Sequence, residues 1–312
     1  MTTARTSPKA TRRLGDIIFS GSTVTAGSII LAALAAVAIF LVAQSIPALI
    51  ADPATLKGSP SSFWAFVAPL AFGTVWAAFL ALLMALPISL GIALFISHYA
   101  PRRIAQGLGY IIDLLAAVPS VVFGLWGIKI LAPGITPLYQ WLVDNLGFLP
   151  FFSGQASGTG KTILTVAIVL AVMIIPIITA VSREIFLQTP VLHEEAALAL
   201  GATRWEMIQI AVLPFGRPGI ISAAMLGLGR ALGETMVVAM VLSPALVINF
   251  VLTSSDNPST IAGNIALNFP EAHGVAVNAL IATGLILFVI TLVINSIARA
   301  VINSRKAFSG AN

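Results

Sequence analysis

Two groups of residues in this sequence have the types and spacing of a chemical site. Arg230 and Glu234 lie four residues apart in an otherwise apolar stretch, MLGLGRALGETMVVAM, from Met225 to Met240. On a continuous helix that spacing puts both on one face and within reach of each other. Two chemistries follow. The residues form a buried ion pair, costly to break, or the planar guanidinium offers bidentate hydrogen bonds to a passing oxyanion while Glu234 orients Arg230 or moderates its hold. The second group is SGQASGTGKT, Ser153 to Thr162, which approaches the phosphate-cradling loop of an ATPase. That loop needs Gly, four residues, then Gly-Lys-Ser/Thr, so that backbone amides wrap the phosphates while the Lys reaches the terminal ones. Counting back from Gly160-Lys161-Thr162, the first position is Gln155. Gly154 stands one residue too far away, which would misplace the anion nest.

The elements that must hold these residues are membrane helices. Of the 312 residues, 58% are hydrophobic and 9% charged, against roughly 25% charged in ordinary soluble domains. Runs of about 20 apolar residues suffice to cross a bilayer core of roughly 30 Å. Six such runs are read, at about 24–49, 70–97, 107–131, 163–183, 218–242 and 275–299. A basic tail, 1–23, precedes the first, whose apolar run is too long for a signal-peptide core and reads as an uncleaved anchor. A second tail, 300–312, ends the chain.

Six spans alternate the connecting segments between two sides. Arg5, Lys9, Arg12, Arg13, Arg102, Arg103, Arg183, Arg204, Arg217, Arg299, Arg305 and Lys306 fall on one side, and only Lys57, Lys129 and Lys161 on the other. The positive-inside bias therefore puts both termini in the cytoplasm. SGQASGTGKT then lies outside, where ATP is not available, and reads as a Gly/Ser connector. If ATP is used, another subunit binds it. The net charge of +5 belongs to membrane orientation and lipid rather than to nucleic acid, since the basic residues are not gathered in a soluble block. The absence of cysteine removes disulfides, thiolate metal sites and Cys nucleophiles. His98, His193 and His273 are too scattered to suggest a metal.

The long cytoplasmic segment between the fourth and fifth spans, 184–217, has strong local signals. Thr189 suits a helix cap with Pro190 as first helical residue, and Ala196 to Leu200 are good helix formers. Gly201 suits the left-handed residue that ends a helix. Thr203 with Glu206 makes a capping box for a second short helix over about 204–213, which Pro214 closes. The product is a helix-turn-helix exposed to the cytoplasm. Glu195-Ala196-Ala197, then Gly201 and Leu213-Pro214, resemble the EAA loop of ATP-binding-cassette importer permeases; the Ile usual two residues before Leu213 is Ala211 here.

That resemblance implies that the short helix docks in a groove of an ATPase subunit and transmits its closure to the membrane helices, with Glu195, Ala196, Ala197, Gly201, Leu213 and Pro214 as the coupling residues. GLGRALGET, with AAVPSVVFGLWG from Ala116 to Gly127 and FISHYAPRR, is similar to the permeases of phosphate-specific importers, above all their C-type subunits, over about 15–299. This implies an all-α integral membrane protein with a type I-like permease fold, its transmembrane domain over 70–299, and Arg230 and Glu234 on the substrate path. It also implies an A-type second permease, two ATP-binding subunits and an extracytoplasmic phosphate-binding protein. Inorganic phosphate would be the cargo. No cofactor is expected in this chain, ATP and Mg belonging to the ATPase subunits, and no catalytic residue, since no bond changes here. A permease for sulfate or molybdate would keep the EAA loop without needing GLGRALGET. An ion-coupled carrier or channel would use Arg230, Glu234 and Asp113 without any ATPase and would not need the EAA loop.

Smaller features complete the expectations. Phe63, Trp64 and Phe66 look like an interfacial aromatic cluster, and helix-like character near 261–269 suggests an element lying on the outer surface. Asp113 is placed early in the third span as a boundary residue or intrahelical partner. Pro87, Pro119 and Pro176 are expected to kink spans. Ser120 could line a polar path, and His193 fills the docking surface.

Overall fold

The computed structural model describes residues 14–52 and 60–306. Arg5, Lys9, Arg12, Arg13 and Lys57 of the charge tally, and 307–312 of the second tail, lie outside the described residues. Six helices are long and apolar enough to cross a membrane: Ile18–Ile50, Phe63–Tyr99, Ser120–Leu146, Ile163–Leu187, Arg204–Leu232 and Val275–Asn303. The count matches the sequence expectation, but two spans fall elsewhere.

The first helix, α1 (Leu14–Ile50), begins before its apolar run and packs along the last, α12 (Val275–Lys306), through a face that includes the buried Ser45 and Ala48. Asn278 Nδ2 donates to Gln44 O at 2.8 Å across that pair. Apart from the half-buried Ala38 and Leu41, the other described side chains of α1 are exposed in this chain. The centre is built by α2 (Phe63–Leu94), α6 (Ile163–Leu187) and α9 (Leu213–Leu232), whose facing Ala, Val, Leu and Ile side chains make the main core. Small residues set the approach of α9 to α6. A methyl on Gly227 would lie 2.7 Å from Ile178 Cδ1, and one on Gly219 would lie 2.5 Å from Ile185 Cδ1. Pro87 and Pro176 lie within unbroken helices. Their neighbours Ser89 and Ile175 join α2 to α6 by a side-chain bond of 3.3 Å, the kind of polar link that holds membrane helices together.

The third span is not 107–131. Residues 102–116 form a separate helix, α3 (Arg102–Ala116), whose face of Ile104, Tyr110, Ile111, Leu114 and Leu115 is exposed. It stops because Val118 precedes Pro119, and the clash with the proline ring excludes Val118 from helical geometry. The crossing helix starts afresh as α4 (Ser120–Trp126) and ends as α5 (Ala132–Leu146), so Pro119 divides two elements instead of kinking one. Asp113 is consequently an exposed residue in the last turns of α3, outside any span.

Three π-helical turns, Phe95–Tyr99, Gly127–Leu131 and Ile208–Val212, share a sequence cause. Each is followed by one residue and then a proline: Pro101, Pro133 and Pro214. The residue before each proline donates five residues back, as Ala100 does to Phe95 O, Ala132 to Gly127 O and Leu213 to Ile208 O. The widened turn makes room for a ring that lacks an N–H and would otherwise crowd the carbonyl four residues earlier. At Pro133 and Pro214 the helix therefore continues.

The segments expected outside, 153–162 and 243–260, form a polar plug. SGQASGTGKT is pinned to the chain after α10 (Met236–Val241) by Ser157 N to Thr253 O at 2.8 Å and by Asn257, which accepts from Ile163 N at 2.8 Å and donates to Lys161 O at 3.0 Å. Two short parallel strands, β1 (Pro244–Ala245) and β2 (Asn257–Pro258), close the same region. Gly160 has φ +67°, and a methyl there would lie 1.9 Å from Ala132 O; Gly154 has φ +89° with open space around it. Gly160→Ala should cost about 3 kcal/mol through strain and backbone clash, and Gly154→Ala about 1 kcal/mol. Thermal unfolding of the purified transporter checks the difference. The amides of Ser157, Lys161 and Thr162 and the loop's hydroxyls are thus engaged within the chain, and Gly160 serves packing.

Candidate coupling surface and substrate path

The hairpin expected in the cytoplasm is built from α7 (Val191–Ala199), a turn, and α8 (Arg204–Met207), which runs through the π turn directly into α9. Gly201 has φ +88°, with Gly201 N bonded to Leu198 O at 2.9 Å and Ala202 N to Ala197 O at 3.2 Å, the paired bonds of a Schellman ending. The Thr203–Glu206 capping box is complete in both directions. Two expectations need correction. Pro190, not Thr189, is the cap residue of α7 and makes no side-chain cap bond, while the Thr189 hydroxyl is buried without a partner. Pro214 does not close a separate short helix, because the π turn before it lets one helix run from Arg204 to Leu232.

The three residues of the Glu195-Ala196-Ala197 motif face different surroundings. Ala197 is 6% exposed and packs with Ala93, Leu94, Phe186, Met207, Ile208 and Val212, which fixes the hairpin to the ends of α2 and α6. Glu195 and Ala196 point outward, and Leu200 is 89% exposed. An apolar groove follows, lined by His193, Ala196, Ala197, Leu200, Ile210, Ala211, Pro214 and Phe215. His193 and Ala211 thus lie in one surface with the motif, while Leu213 packs partly against the anchoring cluster. Sequence reasoning missed a link to this hairpin: His98 Nε2, at the end of the second span, lies 3.4 Å from Glu194 Oε1, and Ser97 Oγ meets His98 Nδ1 at 2.7 Å. These residues are 96 positions apart, so no local pattern could pair them.

Arg230 and Glu234 are not on one continuous helix face. Helix α9 ends at Leu232, with Gly233 as its cap, and the chain restarts as α10. The Glu234 carboxylate is 8% exposed and turns to the start of α10, accepting from Met236 N at 3.0 Å and Val237 N at 3.2 Å. A carboxylate suits that position because the first amides of a helix lack partners. Arg230 therefore keeps its charge unpaired among the described residues, and its Nε is buried without a hydrogen bond. It sits in the last turn of α9, where the helix dipole favours a cation. Around it Gly229 faces open space and Gly233 is exposed, with only Gly229 O near it at 3.6 Å, whereas Gly227 is packed against α6. The expected close helix approach thus holds for Gly227, while the other two glycines leave the Arg230 side of α9 unfilled in this chain.

A second cation emerges from the revised third span. Lys129, assigned to the outer segments by sequence, lies within the helix, in the Gly127–Leu131 turn, exposed on this chain. Gly127 meets Val169 of α6 and Val241 of α10, and Gly124 meets Met240 and Val237, so this turn and the residues after Glu234 belong to one packed unit. Ser120 begins α4.

Bundled spans, a helical hairpin continuous with a core helix, and a broken helix carrying a half-buried arginine are the features of a membrane transport subunit. The family model for the binding-protein-dependent transport system inner membrane component matches residues 85–306, and the chain belongs to that family. It is a multi-pass inner-membrane permease, with a transport role. It is 44% identical over 299 residues to the phosphate transport system permease protein PstC 2 of Mycobacterium tuberculosis, covering 93% of this chain and 92% of that one. It is 46% identical over 279 residues to PstC of Mycobacterium leprae, covering 86% and 87%. With PstC of Mesorhizobium japonicum it shares 38% identity over 322 residues, 98% and 97% of the two chains. A chain of a bacterial ABC transporter that imports the acidic polysaccharide alginate superposes with a TM-score of 0.57 at 20% identity, over 94% of this chain and 99% of that one. That likeness shows the fold alone.

Proposed function

We propose that this chain is one of two permeases in an ATP-driven phosphate importer, forming half of the anion pathway. The observation that carries the proposal is the near full-length likeness to PstC permeases, supported by a half-buried arginine that has no ion-pair partner among the described residues. Phosphate presents oxygens that a guanidinium can take bidentately, and Arg230 supplies such a group beside open space. Glu234 serves it indirectly. By capping α10 it fixes the break that ends α9 just beyond Arg230, and it leaves the guanidinium free for cargo.

The unfilled side of α9 around Gly229 and Gly233 faces the second, A-type permease, so that the pathway forms between two chains. Both termini and the hairpin lie in the cytoplasm, where Glu195, Ala196 and the adjoining groove dock on one of two ATP-binding subunits. Those subunits hold ATP and Mg and perform hydrolysis. An extracytoplasmic phosphate-binding protein delivers cargo to the plug formed by 153–162 and 243–260. Closure of the ATPases moves the hairpin and tilts the core helices, which opens the pathway inward.

The test is uptake of radiolabelled phosphate by proteoliposomes holding this chain with its partner subunits and binding protein, with and without internal ATP. ATP-dependent uptake is expected. Uptake without ATP would point to an ion-coupled carrier. An assembled, ATP-hydrolysing complex that takes up sulfate or molybdate but no phosphate would overturn the cargo.

A further inference from the structure

At the end of the bundle where α1 finishes and α2 begins, a cavity of about 240 Å³ opens between α2, α11 (Ile261–Asn268), the short turn after it and the start of α12. Its chemistry is divided. Phe66, Ala276, Ala279 and Leu280 form an apolar wall, while Asn264 and Glu271 present polar groups. Asn264 is 7% exposed and its Nδ2 has no hydrogen-bond partner. The orientation of that amide is set by its neighbour. Asn268 Nδ2 donates to Asn264 Oδ1 at 2.8 Å and to Asn264 O at 2.7 Å, so the NH₂ of Asn264 is the end left over.

A buried donor without an acceptor is costly, and this one lines a space far larger than the roughly 30 Å³ share of a single water. The carboxylate of Glu271 forms no ion pair among the described residues. Depth is marked independently. Trp64, two residues before Phe66, is 65% exposed, as expected of an indole at the headgroup level of a bilayer. Glu271 closes the turn before α12, whereas Ala276, Ala279 and Leu280 lie on its first turns into the bundle. From the water inward, the cavity therefore offers a carboxylate, an amide donor and an apolar wall.

We propose that this cavity binds the headgroup of an amine-bearing phospholipid. Its ammonium pairs with Glu271, a phosphodiester or ester oxygen accepts from Asn264 Nδ2, and the glycerol end lies along Phe66 and Leu280. The order of groups in such a lipid matches the order of groups in the wall. A cluster of waters would satisfy Asn264 but leave the apolar wall wetted and Glu271 without a cation.

The assembled transporter, purified and delipidated, would be re-equilibrated with equal amounts of phosphatidylethanolamine and phosphatidylglycerol, and the bound lipids counted by native mass spectrometry. Phosphatidylethanolamine should be retained over phosphatidylglycerol by about tenfold, the equivalent of one charge-assisted hydrogen bond. Glu271→Gln, an exposed and conservative change, should bring the two lipids to parity. Asn264→Leu should lower retention of both. Equal retention by the wild type, or an unchanged preference in Glu271→Gln, would overturn the proposal. So would displacement of the lipid by water-soluble phosphoethanolamine at matched concentration, which would make the headgroup fragment, rather than a lipid, the occupant.

Discussion

Arg230→Gln should reduce ATP-dependent phosphate uptake by on the order of a hundredfold while the transporter still assembles. The magnitude follows from losing two charge-assisted hydrogen bonds to the anion, about 3 kcal/mol together. Survival of the fold follows from geometry. Arg230 makes no ion pair among the described residues, and its Nε already lacks a partner, so a neutral residue of similar shape removes a half-buried charge without stranding another. Had Arg230 and Glu234 formed a buried pair, the same substitution would have left an uncompensated carboxylate and damaged the bundle. Measuring subunit stoichiometry alongside uptake separates these cases. Failure to assemble would mean a structural role, and undiminished uptake would remove Arg230 from the pathway. Glu234→Gln provides a contrast, because an amide oxygen can still accept from Met236 N and Val237 N. Its effect should be several-fold smaller.

Glu195→Lys should uncouple the transporter, leaving less than about a tenth of wild-type uptake and removing the stimulation of ATP hydrolysis by the binding protein. Glu195 is exposed on α7 and forms no side-chain hydrogen bond or ion pair among the described residues. Its reversal therefore leaves this chain's fold intact and acts on whatever meets the hairpin. Reversing a charge in an interface replaces attraction with repulsion and commonly costs several kcal/mol. Copurification of the ATPase subunit and the thermal midpoint of the permease are the paired measurements. Normal coupled transport by the variant would sink the docking role. Ala197 offers a control of the opposite kind, since it packs inward at 6% exposure. A larger side chain there should destabilise the hairpin itself.

The parts of the fold that sequence made legible are those governed by local chemistry. Gly201 and the Thr203–Glu206 box act within one turn of the residues that define them, and both occur as the local rules require. The apolar runs of α2, α6 and α12 are long enough that no other assignment competes. Errors arose where proline was read as punctuation. Pro119 ends one helix and begins another, which moved the third span to Ser120–Leu146 and carried Lys129 inside it. Pro214 was given the opposite role from the one it plays, because the widened turn at Ile208–Val212 could not be read from residue types alone. The four-residue spacing of Arg230 and Glu234 failed for a related reason. Gly233 ends the helix between them, and the unpaired amides of α10 compete successfully for the carboxylate. Contacts such as His98 with Glu194 depend on tertiary placement and leave no sequence trace.

The continuity of the helix from Arg204 to Leu232 has a mechanical consequence. From Pro214 to Arg230 the chain rises roughly 24 Å at 1.5 Å per residue, with no interruption after the π turn. A lever of that length turns a rotation of about 5° at its cytoplasmic end into a displacement of roughly 2 Å at the guanidinium. That is enough to break or remake a hydrogen bond of about 2.9 Å. On the proposed function, the stroke needed from an ATPase subunit is therefore small, and the grip on the anion would change without any rearrangement inside the lever itself.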